Sequence, residues 1–193
     1  MAESEYILEM NNILKAYQGN YAVNNATVKI RRGEIHCLLG ENGAGKSTLI
    51  KILAGVITAD GGQIIFDGKP LEVKHRRDAI ELGINVIFQE LNVVDQLTVA
   101  QNLTLGEEKT TFGLVNQTLE NQNAEKHLES LGINLDLNKK VAQLTTSEKQ
   151  MLLISKAISS NAKLIVMDEP TSALSDAETE LLFETVKRLQ KMA

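Results

Sequence analysis

The sequence predicts an α/β protein whose main sheet is mostly parallel. Three short apolar runs, "EIHCLL", "INVIFQE" and "KLIVMD", have the composition of buried strands, and amphipathic helical patterns alternate with them. Such alternation is typical of a parallel sheet covered by helices on both faces. At 193 residues, with 43% of them hydrophobic, the chain is long enough for one domain with a substantial core.

Two segments before Gly33, "EYILEM" and "YAVNNATVKI", alternate apolar and polar residues with a period of two. This pattern predicts two half-exposed antiparallel strands, which form a small β layer at the N-terminal end. Farther on, "STLIKILAG" predicts a helix, "GGQIIFDGK" a hairpin-like strand, and "RRDAIELG" a short helix that ends at Gly83.

The buried-strand pattern disappears after Leu91, where "VAQNLTLG" and "NQNAEKHLESLG" read as amphipathic helices. We therefore interpret residues 91–150 as a helical subdomain inserted into a core formed by residues 1–90 and 151–193. "SEKQMLLISKAI" predicts a further helix with Ser147 as its N-cap, and "DAETELLFETVKRLQKM" predicts the last helix.

Composition narrows the classes of function. The net charge is -5 and no stretch collects the lysines and arginines that a nucleic-acid interface needs, so nucleic acid is not expected to be the main partner. The single cysteine, Cys37, lies in an apolar run and is expected to be a small core residue. The acidic start does not resemble a signal peptide, and no run approaches the ~20 apolar residues that span a bilayer. The expected location is the cytoplasm.

A glycine-rich loop carries the strongest chemical signal. "GENGAGKS", residues 40–47, fits the pattern G-x-x-x-x-G-K-[ST] and lies between a predicted strand and a predicted helix. Gly43 and Gly45 let the backbone curl so that its N–H groups point at phosphate oxygens, and the helix N-terminus adds partial positive charge. The pattern predicts binding of a nucleoside triphosphate.

Side chains at the end of this loop have distinct expected roles. Lys46 should reach the β- and γ-phosphates, Ser47 should bind Mg²⁺ through its hydroxyl, and Thr48 should donate to the α-phosphate. The alternative, a glycine-rich surface turn without a ligand, does not explain this combination of spacing and position.

Two adjacent carboxylates end the apolar run "LIVMDEP". Burial of a carboxylate is costly unless a cation or hydrogen-bond donors compensate it, so a bound Mg²⁺ explains their position. Asp168 would hold the ion, usually through water, and Glu169 would act as the general base for a water that attacks the γ-phosphorus. Pro170 should bias Glu169 toward extended geometry. The alternative for this pair is a solvated strand end that caps the next helix.

The order of these motifs resembles the ATP-binding cassette (ABC) ATPases along the whole chain, a family with a P-loop (RecA-like) fold. "GENGAGKST" is similar to the Walker A loop, "VIFQE" to the Q-loop strand, "LIVMDEP" to Walker B and "TSALSD" to the D-loop. "GEIHCLLGENGAGKSTLIKILAG" and "IFQELNVVDQLTVAQNLTLG" resemble more closely the first half of the tandem cassettes that energise ribose, xylose and galactose type sugar importers.

The resemblance implies roles for further residues. Gln89 would contact Mg²⁺ and the attacking water, and Tyr17 would stack on adenine, although by themselves these two residues read as a surface polar side chain and as simple packing. The implied catalytic set is Glu169, Lys46 and Gln89. The implied nucleotide contacts are Tyr17, Gly40, Asn42, Gly43, Ala44, Gly45, Lys46, Ser47, Thr48, Thr145 and Ser147, and the implied metal ligands are Ser47, Gln89 and Asp168.

Three departures from the family pattern stand out. "LTTSEKQ" replaces the usual LSGGQ signature, which in the family completes the ATP site of a second cassette; only Leu144 and a hydroxyl at Thr145 are retained. Ser147 adds a side chain and Glu148 a negative charge where phosphate is expected, so this signature should be degraded. Ser175 stands in place of the D-loop aspartate. The switch histidine, expected about 30 residues after Walker B, does not occur before the sequence ends.

The resemblance implies an ATPase subunit, dependent on ATP and Mg²⁺, that energises sugar import. Its expected partners are a second cassette, fused or separate, transmembrane permease subunits and, indirectly, an extracytoplasmic solute-binding protein, and its expected place is the inner face of the membrane. Two alternatives stay open: a regulatory nucleotide-binding module with little turnover, and a non-transport ABC ATPase.

The sequence also predicts a C-terminally truncated cassette. In the P-loop class, the strand after the last helix inserts between the Walker A and Walker B strands, and its absence would leave both strands without a neighbour. We therefore expect the chain to self-associate, to be a fragment of a longer protein, or to pair "EIHCLL" directly with "KLIVMD", and to show ATPase activity near background.

Overall fold

A computed structural model describes most of the chain, namely residues 4–88, 92–105, 110–111, 114–115, 117–159, 162–171 and 174–190. The strands are β1 (Tyr6–Tyr17), β2 (Asn20–Arg31), β3 (Gly61–Phe66), β4 (Lys69–Pro70), β5 (Ile84–Ile87), β6 (Thr110–Thr111), β7 (Leu114–Val115) and β8 (Leu164–Met167). The helices are α1 (Lys46–Leu53), α2 (Arg76–Glu81), α3 (Val99–Thr104), α4 (Gln117–Leu131), α5 (Thr146–Ser159) and α6 (Asp176–Gln190), with a 3₁₀ turn at Val141–Gln143.

The N-terminal β layer predicted from the sequence is confirmed. Strands β1 and β2 form a long antiparallel hairpin, and β3 pairs antiparallel with the other edge of β1, in the order β2-β1-β3-β4. Gln18 and Gly19 turn the hairpin with φ of 50° and 84°, the left-handed geometry that a two-residue hairpin turn requires. Leu8 and Ile13 of β1 are both almost fully buried. They lie an odd number of residues apart, and a register shift of β1 between Met10 and Ile13 interrupts the regular alternation between them.

Strands β5 and β8 form a separate two-stranded sheet. The Gly83 carbonyl accepts hydrogen bonds from the N–H groups of Lys163 and Leu164, and the Ile87 carbonyl accepts one from Asp168. The residue numbers of the two partners increase in the same direction from one hydrogen bond to the next. The two strands are therefore parallel. The predicted strands "INVIFQE" and "KLIVMD" are thus confirmed, and their pairing fixes Asp168 at the carboxyl end of the sheet.

The prediction of a buried strand at "EIHCLL" is wrong for this structure. Residues 34–39 form no strand, and Ile35 and Leu39 are 47% and 88% exposed. Cys37 is also exposed, so its assignment to the core is wrong as well. An apolar run is buried only when neighbouring strands or helices cover it. In the described part of the chain β8 pairs with β5 and not with this run, which excludes the expected direct pairing.

The chain divides into two compact units. The first comprises Met1–Val86, Ala162–Val166 and Lys187–Ala193, and the second comprises Ile87–Asn161 and Met167–Val186. These bounds differ from the predicted division at residues 90 and 150, which stays a prediction. The first unit contains the antiparallel sheet and α1, and the second contains α3, α4, α5 and most of α6.

The second unit has its own apolar core. Helices α3, α4 and α5 contact one another, and their buried side chains include Val99, Leu128, Leu152 and Ile154. The buried amide of Asn102 donates to the carbonyls of Val94 and Thr98 and accepts from the Val94 N–H, which satisfies its polar atoms. None of the helices in the described ranges is both long and apolar enough to span a bilayer.

Candidate functional site

The glycine loop has the backbone geometry that its sequence predicts. Gly43 and Gly45 have φ of 87° and 89°, a region that side-chain-bearing residues rarely adopt. Gly45 is the N-cap of α1 and provides no side chain to bond the first turn. The N–H groups at the start of a helix have no partner within the helix, so this end of α1 is available to an anion.

Gly45 is also required by packing, which the sequence alone did not reveal. A Cβ atom at this position would lie 2.4 Å from the carbonyl oxygen of Ala22 and 3.2 Å from Cγ2 of Val23, both in β2. At Gly43 a Cβ would meet no atom within 4 Å. The loop is therefore held directly against the hairpin at Gly45, whereas Gly43 serves the turn alone.

The Lys46 side chain folds back over the loop. Its Nζ donates hydrogen bonds to the carbonyl oxygens of Gly40, at 2.6 Å, and Glu41, at 3.0 Å. The Glu41 carbonyl also accepts from the Ala44 N–H at 3.1 Å. These contacts place a cation at the loop, where it can exchange carbonyl oxygens for the more strongly charged oxygens of a phosphate.

The remaining loop residues are accessible. Gly40, Asn42, Gly43 and Ala44 are exposed, as is Ser47 in the first turn of α1. Thr48 is half-buried, next to the buried Leu49 and Ile50 that anchor the helix to the core. The apolar face of α1 thus fixes the loop, while its polar first turn faces solvent.

Tyr17 lies at the end of the hairpin that supports the loop. It is the last residue of β1, pairs with Asn20, and is 48% exposed. The Nζ of Lys15 lies 5.6 Å from the centroid of its ring, within cation–π range. Gly45 contacts β2 at Ala22, only two residues beyond Asn20. An exposed aromatic face and the phosphate-type loop therefore share one end of the hairpin.

Asp168 and Glu169 follow β8 directly. Asp168 is half-buried and its N–H donates to the Ile87 carbonyl at 2.9 Å, whereas Glu169 is exposed. Glu169 has a φ of 50°, so the expected extended geometry before Pro170 is wrong. The chain leaves the sheet at this residue, and the turn overrides the local preference that proline imposes.

The two units hold different parts of the predicted site. Tyr17, the glycine loop, Lys46, Ser47 and Thr48 belong to the first unit, and the second contains Asp168, Glu169, Thr145 and Ser147. Gln89, predicted as a catalytic residue and metal ligand, lies outside the described residues. The described part of the chain contains no group of three or more His, Cys, Asp or Glu side chains arranged to hold a metal by themselves.

The start of α5 departs from the prediction. Thr145, not Ser147, precedes the first helical residue, and its Oγ1 accepts from the Glu148 N–H at 3.2 Å. The Glu148 carboxylate accepts from the Thr145 N–H at 2.7 Å, which completes a capping box. The assignment of Ser147 as the N-cap is therefore wrong. The sequence did contain the signal, because a threonine three residues before a glutamate fits the capping-box pattern.

The start of α6 repeats this arrangement. Ser175 donates through its hydroxyl to the Glu178 carboxylate at 2.7 Å and through its N–H at 2.9 Å. These bonds from Ser175, with a smaller contribution from the Ser147 hydroxyl, lower the pKa of Glu178. The residue that replaces the D-loop aspartate thus caps the last helix.

Comparison with known proteins identifies the family. Residues 23–172 match the family model described as ABC transporter. The chain belongs to the ABC transporter family. The matched segment contains the glycine loop, the start of α5, Asp168 and Glu169, whereas Tyr17 and the start of α6 lie just outside it.

The relatives of this cassette include sugar import proteins. The chain is 46% identical over 185 residues to the ribose import ATP-binding protein RbsA 1 of Rubrobacter xylanophilus. The aligned region covers 96% of the chain and 37% of the relative. It is 44% identical over 189 residues to the galactose/methyl galactoside import ATP-binding protein MglA of Pasteurella multocida, with 98% and 37% covered. The chain therefore spans little more than a third of the length of these relatives.

Solved cassette structures share the fold. The ADP conformation of MJ1267, an ATP-binding cassette of an ABC transporter, superposes with a TM-score of 0.82 at 27% identity and covers 98% of the chain and 78% of its own. The cassette cbiO1 from Clostridium perfringens, part of the complex cbiONQ, superposes with a TM-score of 0.81 at 25% identity, with 98% and 75% covered. The predicted α/β P-loop fold class is confirmed.

Proposed function

We propose that this chain is an ATP-binding and hydrolysing cassette that energises import of a sugar or similar small solute through a membrane permease. The observation that carries the proposal is the glycine loop, in which two left-handed glycines, the open start of α1 and Lys46 have the geometry that would suit an anion. The import ATP-binding names of the relatives support the transport role.

The first unit would bind the nucleotide. The loop backbone from Gly40 to Gly45 would surround the phosphates, Lys46 would leave its carbonyl partners for the β- and γ-phosphates, and Thr48 would donate to the α-phosphate. Tyr17 would stack on the adenine ring. Its exposed face at the loop end of the hairpin supports this assignment.

The residues present also fit Mg²⁺. A hydroxyl, an amide oxygen and a carboxylate oxygen, from Ser47, Gln89 and Asp168, are the hard oxygen donors that this ion prefers, with bound phosphate and water as the other ligands. When bound, the ion would neutralise charge on the transferring phosphoryl group. Ser47 is exposed in the first turn of α1, as a ligand that must meet a phosphate-bound ion has to be.

Glu169 would act as the general base that orients and deprotonates the attacking water, with Gln89 positioning the same water. The exposed, left-handed position of Glu169 at the end of β8 supports this role. Backbone outliers of this kind cost about 1 to 3 kcal/mol and cluster at functional sites.

The proposed assembly contains a second cassette, transmembrane permease subunits and, indirectly, a solute-binding protein. The chain would lie on the inner face of the membrane as a peripheral subunit. The coverage of the relatives supports a second cassette in the same polypeptide, because each relative is more than twice as long as the matched region.

A second candidate is a nucleotide-binding module that regulates a partner and turns over little ATP itself. One observation favours it: the segment that corresponds to the signature, residues 144–148, is bonded within its own helix start. Under this alternative the glycine loop would bind ATP, but Glu169 would contribute little to hydrolysis.

Substitution of Glu169 separates the two candidates. In the assembled transporter, Glu169→Gln should retain MgATP binding and reduce turnover by ~100-fold or more, the effect of losing a general base. Lys46→Ala should instead weaken binding. Turnover of Glu169→Gln within about threefold of wild type would exclude Glu169 as the base and favour the regulatory alternative.

A further inference from the structure

Polar groups at the start of α5 form hydrogen bonds with one another. The Thr145 N–H and the Glu148 N–H are both bonded within the capping box, at 2.7 Å and 3.2 Å. The Thr145 Oγ1 also lies 3.3 Å from the Ser147 Oγ. A helix start can present such donors to an anion, but here the Thr145 N–H donates to the Glu148 carboxylate and the Glu148 N–H donates to the Thr145 hydroxyl.

The Glu148 carboxylate is held in place from two sides. Besides the Thr145 N–H it contacts the Nζ of Lys139 at 3.4 Å, and both partners lower the pKa of Glu148, the Thr145 bond most strongly. The side chain is about one-third exposed. A carboxylate stabilised in this way stays ionised at neutral pH and repels a phosphate that approaches the same turn.

A second carboxylate lies nearby. The Ser147 hydroxyl is among the groups that lower the pKa of Glu178, so the starts of α5 and α6 adjoin one another within the second unit. Glu178 belongs to its own capping box with Ser175. The two helix starts thus contribute two anionic groups where a phosphate-binding surface needs donors and positive charge.

We infer that the capping box of Thr145 and Glu148 closes the start of α5 to phosphate, so that this segment cannot ligate a nucleotide held by a neighbouring cassette. The inference rests on the proposed function, in which two cassettes meet. It assigns Glu148 an inhibitory role: its carboxylate occupies the Thr145 N–H and places a negative charge where a phosphate would have to approach. Any nucleotide site completed by this segment would lack those donors.

Titration with inorganic phosphate, followed through the backbone amide resonances of the chain, tests the inference. The amides of residues 43–48 serve as an internal control for the glycine loop, and those of residues 145–148 report on α5. In the wild type only the first group should shift. If residues 145–148 titrate with an affinity within threefold of the loop, the inference is overturned. If the loop amides do not respond, the proposed function fails instead.

Removal of the carboxylate should open the turn. Glu148→Ala should make the amides of residues 145–148 responsive to phosphate and accelerate hydrogen exchange at Thr145 about fivefold, the factor that corresponds to a typical lost cap. An unresponsive turn in this variant would overturn the inference. Glu81→Ala removes an exposed glutamate from α2, whose partner is Arg77, and should behave as the wild type; an equal opening there would exclude the capping box as the cause.

A milder variant keeps the test available if alanine disturbs folding. Glu148→Gln retains an acceptor for the Thr145 N–H but removes the charge. It should leave exchange at Thr145 within about twofold of wild type and allow phosphate to shift the amides of residues 145–148 at higher concentration than in Glu148→Ala. No response at any phosphate concentration that saturates the glycine loop would count against a role for the Glu148 charge.

Discussion

Alanine substitution at Gly45 and Gly43 tests how the glycine loop is supported. Both residues have nearly the same φ, 89° and 87°, so alanine incurs a similar conformational cost at each, about 1 to 2 kcal/mol. Only at Gly45 does the new Cβ meet another part of the protein, 2.4 Å from the Ala22 carbonyl oxygen. The pair therefore separates backbone strain from contact with β2.

The extra cost at Gly45 follows from the rigidity of its neighbour. Ala22 lies in β2 at a register shift, between Tyr21 and Val23, which both pair with β1. These two pairs flank Ala22 closely, so its carbonyl can move away only if the irregularity itself changes shape. Overpacking of this kind costs about 1 to 3 kcal/mol. We expect Gly43→Ala to lose about 1 to 2 kcal/mol of unfolding free energy and Gly45→Ala about 2 to 5 kcal/mol.

Urea unfolding of both variants measures the difference, and ATP titration shows its consequence for the site. Gly45→Ala should also bind ATP more weakly than Gly43→Ala, because relief of the clash moves the loop away from the hairpin. The reasoning is refuted if the two variants unfold within about 0.5 kcal/mol of each other, or if Gly45→Ala retains the affinity of the wild type.

Two further substitutions in the first unit test the proposed stacking of Tyr17 on adenine and the ion pairs of Asp67. Tyr17→Ala should weaken ATP binding by about 0.5 to 1.5 kcal/mol, up to about tenfold, whereas Tyr17→Phe should retain it; equal affinity of all three proteins would exclude stacking. Asp67→Asn should lower the unfolding free energy at neutral pH by about 1 kcal/mol, a value that allows for solvent screening of the half-exposed Lys163. Hydrogen bonds from Lys163 and Arg32 lower the pKa of Asp67 to about 2, so this contribution is present above about pH 4 and is lost as the pH falls toward 2. If the difference in unfolding free energy between wild type and Asp67→Asn stays constant across that pH range, the Asp67 carboxylate is not the source of this stability.

The sequence predicted the glycine loop and the first two strands well because both depend on local rules. Left-handed glycines at Gly43 and Gly45, the helix that starts at Lys46, and the alternating strands β1 and β2 follow from residue type and spacing. The contact between Gly45 and Ala22 joins positions 23 residues apart, and no pattern in one sequence reports such a distance.

The predictions that were wrong depended on contacts or on a choice that the local pattern was not used to decide. The run "EIHCLL" is as apolar as a buried strand, but burial depends on neighbours that composition does not specify, and Cys37 is exposed with it. At the start of α5, Ser147 was predicted as the N-cap, but the N-cap is Thr145. Both residue types suit this position, because each has a hydroxyl that can accept from the helix N–H groups. The glutamate three residues after Thr145 decides between them, as the observed bonds show.

The most direct test of the account is whether Lys46 holds a nucleotide. Titration of MgATP into the wild type, Lys46→Ala and Lys51→Ala compares the loop lysine with an exposed lysine in the last turn of the same helix. Loss of a charge-assisted bond of about 1.5 to 3 kcal/mol predicts that Lys46→Ala binds about 10- to 150-fold more weakly, while Lys51→Ala matches the wild type. Equal affinities for all three proteins would contradict the assignment of the glycine loop as the nucleotide site.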